Sequence, residues 1–441
     1  MSTVNPARTG DSIPDLVKSK RAFTWIWRGQ MVSITGTQLS GVAFQLIAVS
    51  SLHSTVFEMG VLTAAQSFPY LFLGLFIGVI VDRSSRRRLM IISDLLRAMI
   101  LATSVVLAMD NRLTIHVMWF VVVLIATFNL IFDASLGALI PEILLPDEWS
   151  SANSRLSATA SGGEVAGPAI AGYIVQTFAV PLTIFLDALS YLVSAVCIAQ
   201  CQTTLPQAPK PIKAEKQNVM RAVGEGLRFV VGHPILRIFG FWSAIWNFSW
   251  SAVLAVIVLF ASRVLQISPY GVGLCVALGG IGGVVGASFA NLLAKTFTRG
   301  RVLVYAPLLG ASGAALLLLS SDHSGVLLGL GLLVFNAGQS AFGVNMQTSR
   351  QMVTPPFLMG RMDTAMRLCF TGMSSLGALS GGLWGSRFGV HSTLIFGIAG
   401  LFLAAFGILL SPLNRLVTET HKVPALPSTD FESLKNAVSL S

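Results

Sequence analysis

Five carboxylates interrupt long apolar runs in this 441-residue sequence: Asp94, Asp133, Glu164, Asp187 and Asp363. An ionisable side chain in such a run is costly, so it is expected to have work to do there: hold a proton, pair with a cation, or meet a charged ligand. Asp133, Glu164 and Asp187 fall in the fourth, fifth and sixth apolar runs. From 236 to 412 the acids are only Asp322, in a turn, and Asp363, at an expected helix start. If a carboxyl carries protons, the first half is where it is expected.

Each acid has two readings. Glu164 lies about eleven residues into its run, ~17 Å at 1.5 Å per residue. It is either a proton or substrate-cation site or a structural partner of Arg97. Asp187 is a proton-coupling candidate too, but its place near a helix N-terminus offers a purely electrostatic explanation, slightly preferred. Asp133, two turns from the end of its run, can pair with Arg97 or Arg155, and a gating salt bridge is the favoured role.

The elements that must position these groups follow from composition. The chain is 54% hydrophobic and 11% charged, against a usual charged share of ~25%. Its apolar runs are long enough to span a bilayer, ~20 residues each. A β-barrel would need ~10-residue alternating segments and is excluded. Twelve helical spans are expected, at about 23–51, 56–81, 89–109, 113–140, 153–178, 181–202, 236–262, 270–294, 301–321, 324–350, 363–388 and 390–412. Residues 1–22 are polar, with no apolar centre that would mark a cleavable signal. They and 413–441 are expected as cytoplasmic tails. Residues 203–235 open with Pro206, Pro209 and Pro211 and then repeat apolar positions at helical spacing, as an amphipathic cytoplasmic helix does. This linker divides the spans into two six-helix units, 23–202 and 236–412.

Net charge is +10, and its placement sets orientation. With the N-terminus inside, only Arg112, Arg263 and Arg387 of the 29 basic residues face out, leaving 26 on the cytoplasmic side. Positive charge of this kind orients spans and is not a nucleic-acid footprint. Both termini are expected on the cytoplasmic side.

A repeat supports two halves. Gly167-Pro168-Ala169-Ile170-Ala171-Gly172 matches Gly377-Ala378-Leu379-Ser380-Gly381-Gly382, an offset of 210 residues (377 less 167). Pro146 and Pro356 share that offset. Gly163, Gly167, Pro168 and Gly172 should make the fifth span thin and bent, a hinge or sliding contact. Trp242, Trp246 and Trp250 share one face of the seventh span at i, i+4 and i+8. Either they line a cavity for a large apolar ligand, with Asn247 and Gln38 as polar lining, or they pack against lipid or a neighbour. The four cysteines lie inside apolar runs with no metal-ligand spacing, so no metal is expected. No phosphate-binding loop or hydrolytic constellation is present. No cofactor, nucleotide or enzymatic activity is expected, and work must come from a gradient.

The charged hairpin Gly78-Val79-Ile80-Val81-Asp82-Arg83-Ser84-Ser85-Arg86-Arg87 resembles the loop 2–3 signature of the major facilitator superfamily, G-x-x-x-D-R-x-x-R-R. Its echo at Ala294-Lys295-Thr296-Phe297-Thr298-Arg299 keeps the bases and loses the acid. The Gly167–Gly172 run is similar to the fifth-span signature of the superfamily's exporters. Ala138-Leu139-Ile140-Pro141-Glu142 and Pro355-Pro356-Phe357-Leu358-Met359-Gly360-Arg361 resemble the macrolide-efflux and enterobactin-type siderophore branch. The resemblance implies an all-α membrane protein of twelve spans in two pseudo-symmetric six-helix bundles. It implies proton antiport of an amphipathic small molecule, carried out by a monomer rocking around a central cavity in the lipid bilayer of a bacterial inner or plasma membrane. It also gives the hairpin roles: Asp82 as a one-sided latch, Arg83, Arg86 and Arg87 as gate and topology charges, and Gly78 letting spans two and eleven approach. Uptake of a metabolite and a non-transporting membrane sensor or scaffold are the alternatives. The sensor leaves Glu164 unexplained.

Overall fold

Helix starts and stops follow local chemistry. Thr55 and Glu58 form a reciprocal cap, with the Thr55 amide donating to the Glu58 carboxylate at 2.7 Å and the Glu58 amide to the Thr55 hydroxyl at 3.3 Å. His53 and Asn111 take left-handed conformations, with φ of 49° and 54°, in the turns their flanking polar residues announce. The molecule, a computed structural model, describes residues 13–145, 147–178, 180–201, 219–320, 325–355, 358–413, 415 and 417, with backbone alone for 13–19, 75, 76, 78, 79, 82, 180 and 219–222. Among the described residues every regular element is helical. In order they are α1 (Ile13–Ser50), α2 (Val56–Arg83), α3 (Arg86–Met109), α4 (Ile115–Ile143), α5 (Trp149–Thr177), α6 (Val180–Ala199), α7 (Val219–Gly232), α8 (Pro234–Leu259), α9 (Pro269–Phe297), α10 (Arg299–Ala315), α11 (Val326–Val353), α12 (Met359–Phe388) and α13 (Val390–Leu410).

Several ends differ from expectation. The first helix starts at Ile13, inside the stretch expected as a tail; once a helix is nucleated, each further residue adds cheaply. α12 starts at Met359, which puts Asp363 inside a helix rather than at its start, where it pairs with Arg350 of α11. α5 runs unbroken through Pro168. The proline-rich part of the expected linker, 203–218, and most of the expected C-terminal tail lie outside the described residues, as do Pro146 and Pro356.

Ten of the helices are long and apolar enough to cross a membrane. α5 and α12, of 29 and 30 residues, are long enough but too rich in small residues to join them. These two make the most extensive contacts between the first and last sets of helices, α5 lying on α9 and α12 on α2, while α8 also touches α2 and α1. Lipid offers little hydrophobic drive between helices, so close backbone approach through small residues must supply the contact.

The 210-residue repeat reappears as geometry. A Cβ at Gly167 would lie 2.4 Å from Gln38 of α1, and one at Gly377 would lie 2.0 Å from the Phe248 carbonyl of α8. Gln38 and Phe248 are themselves 210 apart (248 less 38). A Cβ at Gly172 would lie 3.0 Å from the Tyr270 Cα of α9, and one at Gly382 would lie 3.0 Å from the Gly60 Cα of α2, again a 210-residue pair (270 less 60). In each copy, then, the first glycine faces its own set and the second faces the other. The expected approach of α2 to α12 is made at Gly60; the surroundings of Gly78 lie outside the described residues.

α7 docks on α12, where its Glu225 pairs with Arg361 and a Cβ on Gly226 would lie 2.3 Å from the Arg361 carbonyl.

Close approach has a measurable cost when filled. A Cβ at Gly282 would lie 2.0 Å from the Leu333 carbonyl, whereas one at Gly137 meets nothing within 4 Å. Gly282→Ala should lower the thermal unfolding midpoint in detergent by several degrees, for an overpacking cost of about 1–3 kcal/mol. Gly137→Ala should leave it unchanged or raise it slightly. Equal midpoints for the two variants would contradict the packing described.

Candidate functional site

Polar side chains gather where α1, α3, α4 and α6 meet. On α6, Thr183, Asp187, Ser190 and Ser194 follow at i, i+4, i+7 and i+11 and so form one stripe along the helix. All four are at most 5% exposed. On α3, Asp94 and Arg97 are one turn apart and form a buried ion pair.

Arg97 is held from several sides. It donates to the Asn129 side-chain oxygen on α4 at 2.5 Å, and its guanidinium carbon lies 4.2 Å over the Tyr191 ring and 4.6 Å over Phe132. Stacking on aromatic faces suits a desolvated guanidinium. Tyr191 in turn shares a 2.9 Å hydrogen bond with Thr37 of α1.

Beside this cluster lies a cavity of about 200 Å³. Its polar wall is made by Ser40, Gln66, Tyr70, Asn129, Asp187 and Tyr191, and its apolar wall includes Phe44, Val122 and Ile125. Asp187 accepts a 3.1 Å hydrogen bond from the Ser190 hydroxyl. It stands seven residues into α6, past the first turn in which a helix terminus acts strongly. Helix-end electrostatics therefore does not account for it.

The other expected pairs do not form. Arg97 is committed to Asp94 and Asn129, so neither Asp133 nor Glu164 has it as a partner. Arg155 lies instead over the Trp27 ring, 5.7 Å from its centre. Asp133 is exposed, and the charges acting on it are Arg97 of its own set and Arg367 from α12. Glu164 is also exposed; its carbonyl meets the backbone of α9, since a Cβ at Gly280 would lie 2.6 Å from it. Further along α5 the Pro168 carbonyl meets Gly273, at 2.3 Å from such a Cβ.

The tryptophans pack against neighbours and none lines this cavity. Trp246 and Trp250 stack on Phe335 of α11 with ring centres 5.7 and 3.6 Å away, and the Trp246 indole donates to Gln339. Trp242 fills the space over Gly407 of α13, where a Cβ would lie 2.3 Å from its ring. Asn247 bonds back to the Ser243 carbonyl, and Gln38 is spent covering Gly167. Gln66 does line the cavity.

In the charged hairpin, Arg86 pairs with Glu142 at the end of α4, and Arg87 donates to the Ile198 and Ala199 carbonyls at 3.1 and 2.5 Å. A cation on the last carbonyls of α6 offsets the negative helix end. Arg83 is exposed, and the Asp82 side chain lies outside the described residues.

The Asp94–Arg97 pair predicts a coupling. Arg97→Ala would leave Asp94 buried without its cation, at a cost of about 3–5 kcal/mol. Asp94→Asn combined with Arg97→Ala should lose clearly less than the two single variants together, read as thermal unfolding in detergent. Additive losses would contradict the pair.

Comparison with known proteins agrees with this frame. Residues 17–436 match the transmembrane secretion effector family. The chain is 24% identical over 437 residues to the uncharacterized MFS-type transporter YfiS of Bacillus subtilis strain 168, covering 92% of this chain and 96% of that one. Over 211 residues it is 29% identical to the multidrug efflux pump Tap of Mycolicibacterium fortuitum, covering 46% of this chain and 50% of Tap. Over 208 residues it is 21% identical to macrolide efflux protein A of Streptococcus pyogenes, covering 47% and 51%. In three dimensions it is similar to a variant of the nucleoside transporter NupG, with a TM-score of 0.71 at 11% identity, over 89% of this chain and 99% of that one. With a family match along nearly its whole length and a helical frame shared with a solved transporter, the chain belongs to the transmembrane secretion effector family of major facilitator membrane transporters and is not an enzyme.

Proposed function

We propose that this transporter is a secondary active exporter, exchanging protons for an amphipathic small molecule such as a macrolide-like drug or a siderophore. The observation that carries the reading is Asp187, a buried carboxylate on the wall of a cavity that is part polar and part apolar. A carboxylate in that position holds either a proton or the cationic end of a ligand, and such competition for one site is the elementary requirement of antiport. From 236 to 412 the acids are Asp322 and Asp363 alone, and Asp363 is spent on Arg350. Coupling therefore belongs to the first set of helices, with Asp187 as its carboxyl.

α5 and α12 complete the bilayer crossings in this reading, making twelve spans in two pseudo-symmetric six-helix bundles. The 210-residue recurrence of their glycine contacts supports the pairing. The bundles rock about the α5–α9 and α2–α12 contacts, the motion expected of such repeats. Asp133 feels the charge of Arg97 and of an arginine of the opposite bundle, Arg367; rocking changes its distance from Arg367 and so the charge balance around it. Glu164, at the α5–α9 crossing, is the second group whose surroundings change with the motion, and Asp82 is the cytoplasmic latch. The working protein is a monomer in a bacterial plasma membrane with both termini cytoplasmic, and relatives named as efflux pumps favour export.

The test uses proteoliposomes with an imposed pH gradient and two labelled probes, a macrolide and a catecholate siderophore. The wild-type protein should move at least one of them against its gradient. Asp187→Asn should lower gradient-driven transport by about a hundredfold while probe binding stays measurable. Undiminished gradient-driven transport by Asp187→Asn sinks the coupling role, and movement of neither probe by the wild-type protein sinks the export reading.

A further inference from the structure

We propose that the seam between α1, α3 and α6 is a second proton-holding site, in which Asp94 exchanges protons with Asp187 through the hydroxyls of Ser190 and Ser194, apart from the substrate cavity. The inference rests on the proton-coupled reading above.

The seam is built and closed. Gly29 and Gly36 of α1, seven residues apart, press that helix onto the polar stripe of α6. A Cβ at Gly36 would lie 2.2 Å from the Ser190 hydroxyl oxygen and 2.5 Å from Asp187 Oδ1; one at Gly29 would lie 3.3 Å from Ser194 Cα. Any side chain on α1 at these points would displace the stripe. Asp94, Ser190 and Ser194 do not line the cavity, whereas Asp187 does, so of the four groups on the path Asp187 is the one that opens to both.

The hydrogen bonding of the seam is incomplete in a telling way. The Ser194 hydroxyl lies beside the Asp94 carboxyl, yet neither Ser194 Oγ nor Asp94 Oδ2 has a completed hydrogen bond. Ser40 Oγ, next to Asp187, is in the same condition. Ser40, Asp94 and Ser194 are at most 4% exposed. Buried polar atoms without partners are rare and call for an explanation; here they are sites for protons and water in transit.

Charge balance is available at both ends. Arg97 faces Asp94 from the same helix and also acts on Asp187. Tyr191 of α6 stands among Asp94, Arg97 and Asp187. α4 brings Asn129, bonded to Arg97, and Asp133, on which Arg97 also acts. α1 brings the Thr37 and Ser40 hydroxyls here, and Arg28 acts on Cys197 one turn beyond Ser194. One guanidinium thus compensates whichever of the two carboxyls is ionised.

The transfer balances without a redox partner. Asp187 gives its proton to the Ser190 oxygen, 3.1 Å away, as the Ser190 hydroxyl releases its own. Ser190 and Ser194 are one helical turn apart, about 5–6 Å between Cβ atoms, a gap that one water bridges. That water takes the Ser190 proton and gives one of its own to the Ser194 oxygen, as Ser194 passes its proton to Asp94 Oδ2. Each step breaks one O–H bond and forms another, so one proton moves ~10 Å along α6 and the negative charge moves from Asp94 to Asp187.

The test compares two modes of transport in proteoliposomes loaded with a labelled macrolide. Exchange of internal for external probe needs no net proton movement; efflux driven by a pH gradient does. Ser194→Ala should slow gradient-driven efflux at least about tenfold while exchange stays within about twofold of the wild-type rate. Ser194→Thr, which keeps the hydroxyl, should recover most of the driven rate, and Asp94→Asn should resemble Ser194→Ala. Wild-type driven efflux in both Ser194→Ala and Asp94→Asn would overturn the path while leaving Asp187 as the coupling group. Equal loss of exchange and driven efflux in Ser194→Ala would also overturn it, by marking a packing role. A wild-type protein indifferent to the pH gradient would remove the coupled reading and the path together.

Discussion

Close backbone approach between helices is the constraint on which the rest depends. In an apolar solvent, burial of apolar side chains gives little net drive to bring helices together, so contact must come from packing and polar bonds. This chain meets the requirement with glycine. At Gly172, Gly273 and Gly280 the backbones of α5 and α9 touch, and at Gly60 and Gly382 those of α2 and α12 do. These crossings carry few large side chains, so they can hold the two helix sets together without interlocking them. A fold held this way is suited to rocking, because small residues can slide without repacking a dense core.

The polar chemistry is placed by the same device. Gly29 and Gly36 bring α1 onto α6, which buries the hydroxyl stripe next to Asp187 and Asp94. Burial then makes Arg97 indispensable, because buried carboxyls without a cation are too costly to keep. Packing and charge are therefore not separate matters in the first set of helices. The second set has the same frame and uses it differently: its centre is an aromatic stack of Trp246, Trp250 and Phe335. Buried charge lies at the centre of the first set, where the second places stacked rings.

Much of this was legible from residue order. The all-helical character and the positions of several turns followed from apolar run length and turn residues, and the 210-residue repeat anticipated a shared geometry that the glycine contacts reproduce. Gly163, Gly167 and Gly172 were recognisable as contact points because only small residues there allow close approach. Partners were harder. Residue order set Arg97 against Asp133 or Glu164, and only the fold shows that Asp94, one turn away on the same helix, is its partner. The tryptophan stripe read equally well as cavity or packing, because one-dimensional spacing does not say what faces it. The hydroxyls of α6 at 183, 190 and 194 share a legible helical period with Asp187, but serine and threonine are common enough in apolar helices to pass without notice.

The central claim is that the two helix sets move as bodies about their glycine crossings. It is tested most directly by pulsed electron spin resonance distances in a cysteine-free background. One label pair reports the end where Gln176 accepts a hydrogen bond from the Tyr270 amide at 3.1 Å, through Gln176→Cys and Tyr270→Cys. A second pair, Asn153→Cys with Lys295→Cys, reports the opposite ends of α5 and α9. The account predicts two distances at each end, with populations that shift in opposite directions when pH is lowered or a macrolide is added. A single unchanging distance at both ends under all conditions would contradict it.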